Sequence, residues 1–335
     1  MARRRRGATP RRRPLGRRGR PRGGRGGGAE LSPPHRLMSA TSRQLVAPPL
    51  TLGGCATLAC IWEATAAKPG NVYRGADFDD LTYADFLTSA TVIGPIIDRT
   101  PEQGVGVTIL AAVTATRAAV ATNTNLGMLL LIAPLAAAPS GLPLSANIDP
   151  ILAALDYNDT CAVYEAIPLS QPGGMGEVAE ADVNEPPPAG LTLRAAMAMA
   201  ADRDVIARQY VNGFVEVFRT ADRIEQHVAD GQPLGEAIVI AFMELLAEEP
   251  DSLIARKAGL DAAREVSQHA ATILDSRRHG DDAFHAMRAE YDFWLRADGH
   301  RRNPGTTADV IAAALFVLLR EKRLNWPVKF YAQQT

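Results

Sequence analysis

From Thr51 onward, the sequence is a succession of apolar runs of helical length, separated by short groups of Gly, Pro and Asn. Runs of this length, rich in Ala, Leu, Val, Ile, Arg and Glu, predict α-helices rather than strands. The predicted helices cover residues 52–67, 83–98, 105–121, 126–138, 149–157, 192–200, 202–230, 235–248, 260–276, 282–297 and 307–321. One short strand is predicted at residues 328–331, and no alternating run long enough for a sheet is present. The sequence therefore predicts an all-α fold, a single multi-helix domain.

Cap residues support two of these helix boundaries. Asp202 precedes a predicted helix that has Asp204 in its first turn. Thr306 or Thr307 is expected to cap the last long helix. Asp309 then lies close to the positive end of that helix, where a carboxylate is stabilised.

The first 37 residues differ in composition from the rest of the chain. They hold 13 arginines and one acid, Glu30, a local charge near +12 that leaves about −13 for the remainder, because the net charge is −1. Residues 1–40 are too poor in apolar side chains to fold and are predicted to be a disordered Arg/Gly/Pro-rich tail, with residues 45–335 as the all-helical catalytic domain. A misassigned start, with Met38 as the natural first residue, is the simpler interpretation of the tail. The acidic remainder argues against a nucleic-acid partner except through the tail.

The cysteines and the apolar stretches bear on the compartment. Cys55, Cys60 and Cys161 have no metal-site spacing, and their odd number gives no disulfide framework. A reduced, cytoplasmic compartment is therefore predicted. The apolar stretch at residues 126–138 is about 13 residues long, too short to span a bilayer, so no membrane partner is expected. His300 belongs to no cluster of metal-type residues and is interpreted as a surface residue.

The first polar segment (residues 67–80) follows the first predicted helix, which Pro69 and Gly70 are expected to end. Its charged side chains are those of Lys68, Arg74, Asp77, Asp79 and Asp80. Cations of this kind bind phosphate, and carboxylates bind Mg²⁺. The segment therefore predicts a site for a magnesium-bound phosphate ligand, and a solvated turn is the alternative.

Three further polar segments interrupt the apolar helices. The second (residues 122–127) has two Asn and two Thr before a helix, which suits a phosphate or ribose, with simple capping as the alternative. The third (residues 171–185) contains glycines that allow a ligand to approach the backbone or that make a plain flexible loop. The fourth (residues 303–309) opens the last long helix. There Asp309 is either a functional carboxylate or a partner of the helix dipole.

Short motifs within these four segments occur in the order of one known family. They are Glu63 with Lys68-Pro69-Gly70, Gly75-Ala76 and Asp79; Asn123-Thr124 with Gly127; Gly173-Gly174-Met175-Gly176-Glu177; and Asn303-Pro304-Gly305-Thr306-Thr307-Ala308-Asp309. In order, they resemble four motifs of the triphosphoribosyl-dephospho-CoA synthases. The first is a helix glutamate followed by a PKPG loop and a glycine-histidine-aspartate turn. The others are the NTHKG segment, the glycine-arginine-glycine-glutamate segment and the PGGSAD segment. The resemblance covers residues 51–320.

The chain departs from the family pattern at several positions. Asp77 stands in place of the family's histidine, Asn125 and Leu126 in place of its His-Lys pair, and Met175 in place of its loop arginine. Groups that would neutralise phosphate are thus replaced, and one carboxylate is gained. The chain therefore resembles a divergent branch, similar to one found in genomes that use methanopterin-type one-carbon cofactors.

The resemblance implies a transferase that moves the triphosphoribosyl group of ATP to an alcohol acceptor such as 3'-dephospho-CoA, with release of adenine. Glycosyl transfer passes through an oxocarbenium-like state that a carboxylate stabilises, and a carboxylate can also accept the acceptor's proton. The roles expected on this hypothesis are Lys68, Asn123, Asn125, Gly174, Gly176 and Asn303 as nucleotide-binding residues, Asp77 and Asp79 as Mg²⁺ ligands, and Glu63 and Asp309 as catalytic carboxylates in interchangeable roles.

Two other hypotheses remain open on the sequence alone. A related ribosyl- or phosphoribosyl-transfer step in the biosynthesis of a methanopterin-type cofactor fits the replaced His and Lys. A non-catalytic helical nucleotide-binding protein with an RNA-contacting tail is disfavoured by four ordered polar segments in an otherwise apolar helical chain. The partners expected are ATP and a CoA-like or other alcohol acceptor, and a homodimer is a further expectation.

Overall fold

The computed structural model describes residues 49–171 and 185–332, which form fifteen α-helices, one short 3₁₀ turn and no strand. The all-α prediction is confirmed. In chain order the helices are α1 (Leu52–Thr65), α2 (Tyr83–Ile97), α3 (Thr100–Gln103), α4 (Val105–Ala119), α5 (Leu126–Ala137), α6 (Leu144–Ala154), α7 (Tyr157–Ser170), α8 (Leu193–Ala198), α9 (Val205–Asn212), α10 (Val215–Ala229), α11 (Leu234–Glu248), α12 (Ser252–Ala258), α13 (Leu260–Ser276), α14 (Asp281–Arg296) and α15 (Gly305–Arg320). The predicted tail, residues 1–40, lies outside the described residues.

Helix α15 is the centre of the packing. Every residue from Thr306 to Leu319 is buried except Asp309, which is half-buried. A helix that is apolar all round can be stable only when other elements cover every side of it. Helices α1, α5, α10, α11 and α12 all contact α15. The fold therefore places the start of α15, and with it Asp309, inside the molecule.

Two predicted helices differ from the observed ones, because a local signal inside each of them starts a new helix. The predicted helix at residues 202–230 is wrong as a single element. Gly213 and Phe214 both have left-handed backbone conformations, which end α9 and start α10, and the Phe214 ring is fully buried. The predicted helix at residues 149–157 is also wrong. Asp156 caps α7 in a capping box with Asp159, so α6 ends at Ala154 and a new helix begins.

The predicted helix caps and the predicted strand also need correction. Asp204, rather than Asp202, caps α9, because its side chain accepts hydrogen bonds from two backbone N–H groups of the first turn. Thr306 and Thr307 lie inside α15 and do not cap it.

The segment at residues 328–331 forms no strand. Its carbonyl groups accept hydrogen bonds from the first two N–H groups of α11, Leu234 and Gly235, so its extended backbone pairs with a helix start. None of the helices in the described residues is both long enough and apolar enough to cross a bilayer.

Candidate active site

A cavity of about 770 Å³ lies beside the start of α15. The first, second and fourth polar segments, together with Gln171 of the third, contribute to its lining. The lining residues from these segments and from the end of α1 are Glu63, Asn71, Asp80, Asn123, Asn125, Asn303 and Asp309, among others. Helices α7, α8 and α9 supply apolar side chains to the same cavity. A cavity of this size, with a few convergent polar groups on a largely apolar wall, is typical of a small-molecule site.

Glu63 and Lys68 form a buried ion pair at this cavity. The Lys68 Nζ and Glu63 Oε1 atoms are 2.8 Å apart, and the two side chains are 0% and 2% exposed. The Lys68 ammonium also donates to the backbone carbonyl groups of Glu63 and Ala66. Burial raises the pKa of the Glu63 carboxyl, and the charge and hydrogen bond of Lys68 oppose this rise. Lys68 was expected on phosphate, but the structure places its ammonium against Glu63, behind the cavity wall.

Asp309 lies where two helices begin. Its carboxylate rests against Gly127 in the first turn of α5, and a Cβ atom added to Gly127 would lie 2.0 Å from Asp309 Oδ2. Only glycine at this position leaves room for the carboxylate. Burial raises the pKa of Asp309 well above its usual value, and the neighbouring charge of Glu63 adds to the rise. The site therefore holds two acids in a poorly solvated space, of which one, Glu63, has a cation of its own.

Three buried polar atoms on the cavity lining have no hydrogen-bond partner among the described residues. They are Glu63 Oε2, Asn71 Nδ2 and Asn303 Oδ1. Their residues are 2%, 5% and 9% exposed. A buried polar atom left without a partner costs about 1–3 kcal/mol. Two acceptors and one donor that meet in one cavity are therefore matched to a ligand rich in hydroxyl groups.

The backbone of the first polar segment is held by the last turns of α14. The Gly70 N–H and the Tyr73 hydroxyl donate to the two carboxylate oxygens of Asp292, at 2.7 and 2.8 Å. Arg296 donates to the same carboxylate at 3.0 Å and to the Asn71 carbonyl. Gly70 has a positive φ of 75°, and a Cβ atom there would lie 2.8 Å from the side chain of Leu295 in α14. These contacts fix the position of Asn71 on the cavity wall.

The second polar segment combines ligand-facing and structural contacts. Asn125 lines the cavity, is buried, and donates to the Thr116 hydroxyl at 3.1 Å. Asn123 also lines the cavity, and its Oδ1 accepts a hydrogen bond of 3.2 Å from the Leu126 N–H, the first N–H group of α5. Their expected nucleotide contacts remain predictions. Gly174 and Gly176, expected to bind nucleotide, lie outside the described residues.

The two predicted metal ligands occupy a different position from the buried acids. Asp77 and Asp79 are exposed, and Asp77 accepts a hydrogen bond of 2.6 Å from the Tyr83 N–H at the start of α2. Their neighbour Asp80 does line the cavity. Within the described ranges, no group of three or more His, Cys, Asp or Glu side chains is placed to hold a metal ion. The structure therefore gives Asp77 a capping contact and does not bring Asp77 or Asp79 to the cavity wall.

Four cations on the cavity lining, here called the cationic cluster, were not predicted from the sequence. Its members are Arg203, Arg256, Lys257 and His300. His300 was interpreted as a surface residue, but it is only partly exposed and faces the cavity. Arg256 and Lys257 belong to α12, whose seven residues are too few for a periodic pattern to reveal. No local spacing connects these residues, because they come from three distant parts of the chain.

Comparison with known proteins adds two findings. The family model described as ATP:dephospho-CoA triphosphoribosyl transferase matches residues 49–328. A solved structure from Archaeoglobus fulgidus, described as a candidate triphosphoribosyl-dephospho-CoA synthase, is similar with a TM-score of 0.57 and 26% sequence identity. The similarity covers 70% of this chain and 98% of that one. No curated protein sequence matches the chain.

Proposed function

The chain belongs to the ATP:dephospho-CoA triphosphoribosyl transferase family, and we propose that the cavity lined by Glu63 and Asp309 is where the ribose of ATP meets the acceptor hydroxyl. Family membership makes the chain a transferase that moves the triphosphoribosyl group of ATP to an alcohol such as dephospho-CoA. The observation that supports this location is the set of three unpartnered polar atoms on Glu63, Asn71 and Asn303. Each hydroxyl of a ribose can donate one hydrogen bond and accept others, so ribose hydroxyls suit both the two acceptors and the donor.

The two carboxylates suit the two proton transfers that the reaction needs. A bond forms between the acceptor oxygen and C1' of the ribose, and the bond from C1' to the adenine nitrogen breaks. The acceptor hydroxyl loses a proton, and the departing adenine gains one. We assign Glu63 as the base, because the Lys68 ammonium at 2.8 Å opposes the rise in its pKa that burial causes. Glu63 also stabilises the positive charge that develops on the sugar.

We assign Asp309 as the acid that protonates adenine. It has no ion-pair partner within 4.0 Å among the described residues, whereas Glu63 has Lys68, and both burial and the charge of Glu63 raise the pKa of Asp309. Two carboxyl groups whose surroundings separate their pKa values are the arrangement that acid and base roles require. We thus propose distinct roles for the two carboxylates, which the sequence left interchangeable.

We further propose that Mg²⁺ enters as part of MgATP. An ion bound mainly by substrate phosphates and water needs only one or two carboxylates from the protein. Of the three aspartates in the first polar segment, Asp80 is the one that lines the cavity, beside the cationic cluster. Asp80 therefore fits this ion better than Asp77 or Asp79. When bound, the ion would neutralise part of the triphosphate charge.

The proposed function is tested by measuring free adenine after incubation of the full chain with MgATP and 3'-dephospho-CoA. We expect adenine release that depends on the acceptor. Glu63→Gln and Asp309→Asn are each expected to slow it by about 10²- to 10⁴-fold, the usual contribution of a general acid or base. Glu265→Gln, on an exposed face of α13, is the matched control and should keep the wild-type rate.

The two variants also separate chemistry from folding. Glu63→Gln leaves the Lys68 charge buried without its partner and is expected to lower stability. Asp309→Asn replaces a protonated carboxyl by a neutral amide of nearly the same shape and is expected to fold about as well as the wild type. A folded Asp309→Asn protein with a normal rate would remove Asp309 from the chemistry. No acceptor-dependent adenine release from the wild-type chain would remove the proposed function itself.

Location and assembly are proposals of the same kind. We propose a cytoplasmic location, because Cys55, Cys60 and Cys161 are all free thiols. A homodimer and a nucleic-acid contact through the tail remain predictions from the sequence, which sizing of the purified chain and an RNA-binding assay would test.

A further inference from the structure

The cationic cluster contains one member that differs from the others in its ion pairs. Three members have a carboxylate within 4.0 Å: Arg203 with Asp202, Arg256 with Asp204, and His300 with Asp80. Lys257 has none among the described residues, and its ammonium contacts the carbonyl oxygen of His300 at 3.4 Å. The cavity therefore contains a cation that no carboxylate of the described residues neutralises directly.

Lys257 also lies in a partly desolvated position. Its side chain is half-buried, and burial lowers the pKa of the ammonium, as does the neighbouring Arg256, while Asp251 and Asp80 act in the opposite direction. Partial burial removes water from the ammonium and thereby strengthens its attraction to an anion in the same space. Lys257 should therefore attract an anionic ligand more strongly than the neighbouring cations, whose charges are already paired with carboxylates.

A buried contact fixes the position of Lys257 relative to Asp309, the proposed acid. Asp251, the cap of α12, accepts hydrogen bonds from the Thr307 N–H at 2.7 Å and from the Thr307 hydroxyl at 2.8 Å. Thr307 is two residues before Asp309 on α15. Helix α12, which carries Lys257, is thus attached to the same turn that carries the proposed acid.

We infer that Lys257 is the principal protein cation for the triphosphate chain of the donor nucleotide, an inference that rests on the proposed function. The sequence predicted Lys68 in this role. Lys68 cannot take this role, because its charge is already paired with Glu63 and its ammonium lies behind the cavity wall. Arg203 and Arg256 are partly satisfied by their own carboxylates and act as weaker, outer contacts. The polyphosphate is therefore directed toward α12, while the ribose lies toward Glu63 and Asp309.

Lys257→Met removes the charge and keeps most of the side-chain length. A hydrogen bond to a charged group typically changes affinity by about 10- to 100-fold. We expect KM for ATP to rise by about that factor, with little change in KM for dephospho-CoA, and we expect Lys257→Arg to restore part of the loss. Lys329→Met, an exposed lysine beside the start of α11, is the matched control. A rise in KM for the acceptor but not for ATP would overturn the assignment.

A binding measurement separates this inference from the proposed function. Inorganic tripolyphosphate is titrated calorimetrically into the full chain and into the Lys257→Met variant, with no acceptor present. Binding that weakens by about 10-fold or more in the variant supports a polyphosphate site whether or not adenine is ever released. Equal binding by the two proteins, or unchanged ATP kinetics in a folded Lys257→Met variant that still releases adenine, would refute the inference and leave the proposed function intact.

Discussion

Replacement of Lys68 by Met tests how the site holds a charged glutamate inside the protein. The Lys68 ammonium and the Glu63 carboxylate are 2.8 Å apart, and neither side chain is more than 2% exposed. Removal of one partner from a buried pair leaves the other charge without compensation, which typically costs about 3–5 kcal/mol. We therefore expect the free energy of unfolding of Lys68→Met to be about 3–5 kcal/mol below that of the wild type near pH 8.

The loss should depend on pH in a direction that follows from Glu63. Burial already raises the pKa of Glu63 in the folded protein, and Lys68 opposes that rise, so the variant raises it further. The folded state then binds the glutamate proton more tightly than the unfolded state, whose pKa is about 4.3. The loss of stability is absent below the pKa of Glu63 in the unfolded state. It grows as the pH rises from there through the pKa of Glu63 in the folded variant. Lys68→Met should therefore be closest to the wild type in stability near pH 4–5 and furthest from it at pH 8.

Urea unfolding at several pH values measures this effect, and the double variant Glu63→Gln/Lys68→Met is its control. The double variant removes both charges, so it should recover much of the stability that Lys68→Met loses, and its stability should vary less with pH. The recovery of stability should be incomplete, because the backbone carbonyls of Glu63 and Ala66 also lose the hydrogen bonds that the Lys68 ammonium donates to them. A Lys68→Met protein that is as stable as the wild type at pH 8, or a loss that does not change with pH, would refute the argument.

Two further variants test the geometry of the site. Gly127→Ala adds a Cβ atom 2.0 Å from the present position of Asp309 Oδ2, so the carboxylate must move. We expect the rate of adenine release by the folded variant to fall by about 100-fold, and a normal rate would contradict this. Asp292→Ala removes the acceptor of the Gly70 N–H, and we expect kcat to fall by about 10-fold. Asp292→Asn should rescue part of this loss, because its amide carbonyl can still accept the hydrogen bond from the Gly70 N–H. Arg288→Gln, on the same helix but paired with α11, should leave kcat unchanged; an equal loss in that control would point to a general weakening of α14.

The parts of the fold that the sequence predicts well are those with long, regular apolar spacing. Helices α2, α4 and α13 begin where the pattern places them, since a buried stripe repeats over several turns. The errors occur where a single backbone conformation decides the outcome. The left-handed pair Gly213 and Phe214 divides one apolar run into two helices, and a large aromatic residue in that conformation gives no sign of it in the sequence.

The site was partly predictable for a related reason. Polar residues between apolar helices are expensive to bury, so their grouping into segments indicates a shared environment, and the cavity does bring Glu63, Asn303 and Asp309 together. The partner of Lys68 could not be predicted, because Glu63 is five residues away across the end of α1 rather than at helical pair spacing. Lys257 gives no local signal at all. Its short helix is positioned by the contact of Asp251 with α15 and by packing against α13, and neither contact is visible in local sequence spacing.

The central position of α15 has a consequence for movement during turnover. Neighbouring helices cover every side of this helix, so a shift of Asp309 would disturb packing across the whole bundle. Asn71 is held in place by α14, through Arg296, and Lys257 by the contact of Asp251 with Thr307. Donor and acceptor are thus brought to a stationary acid.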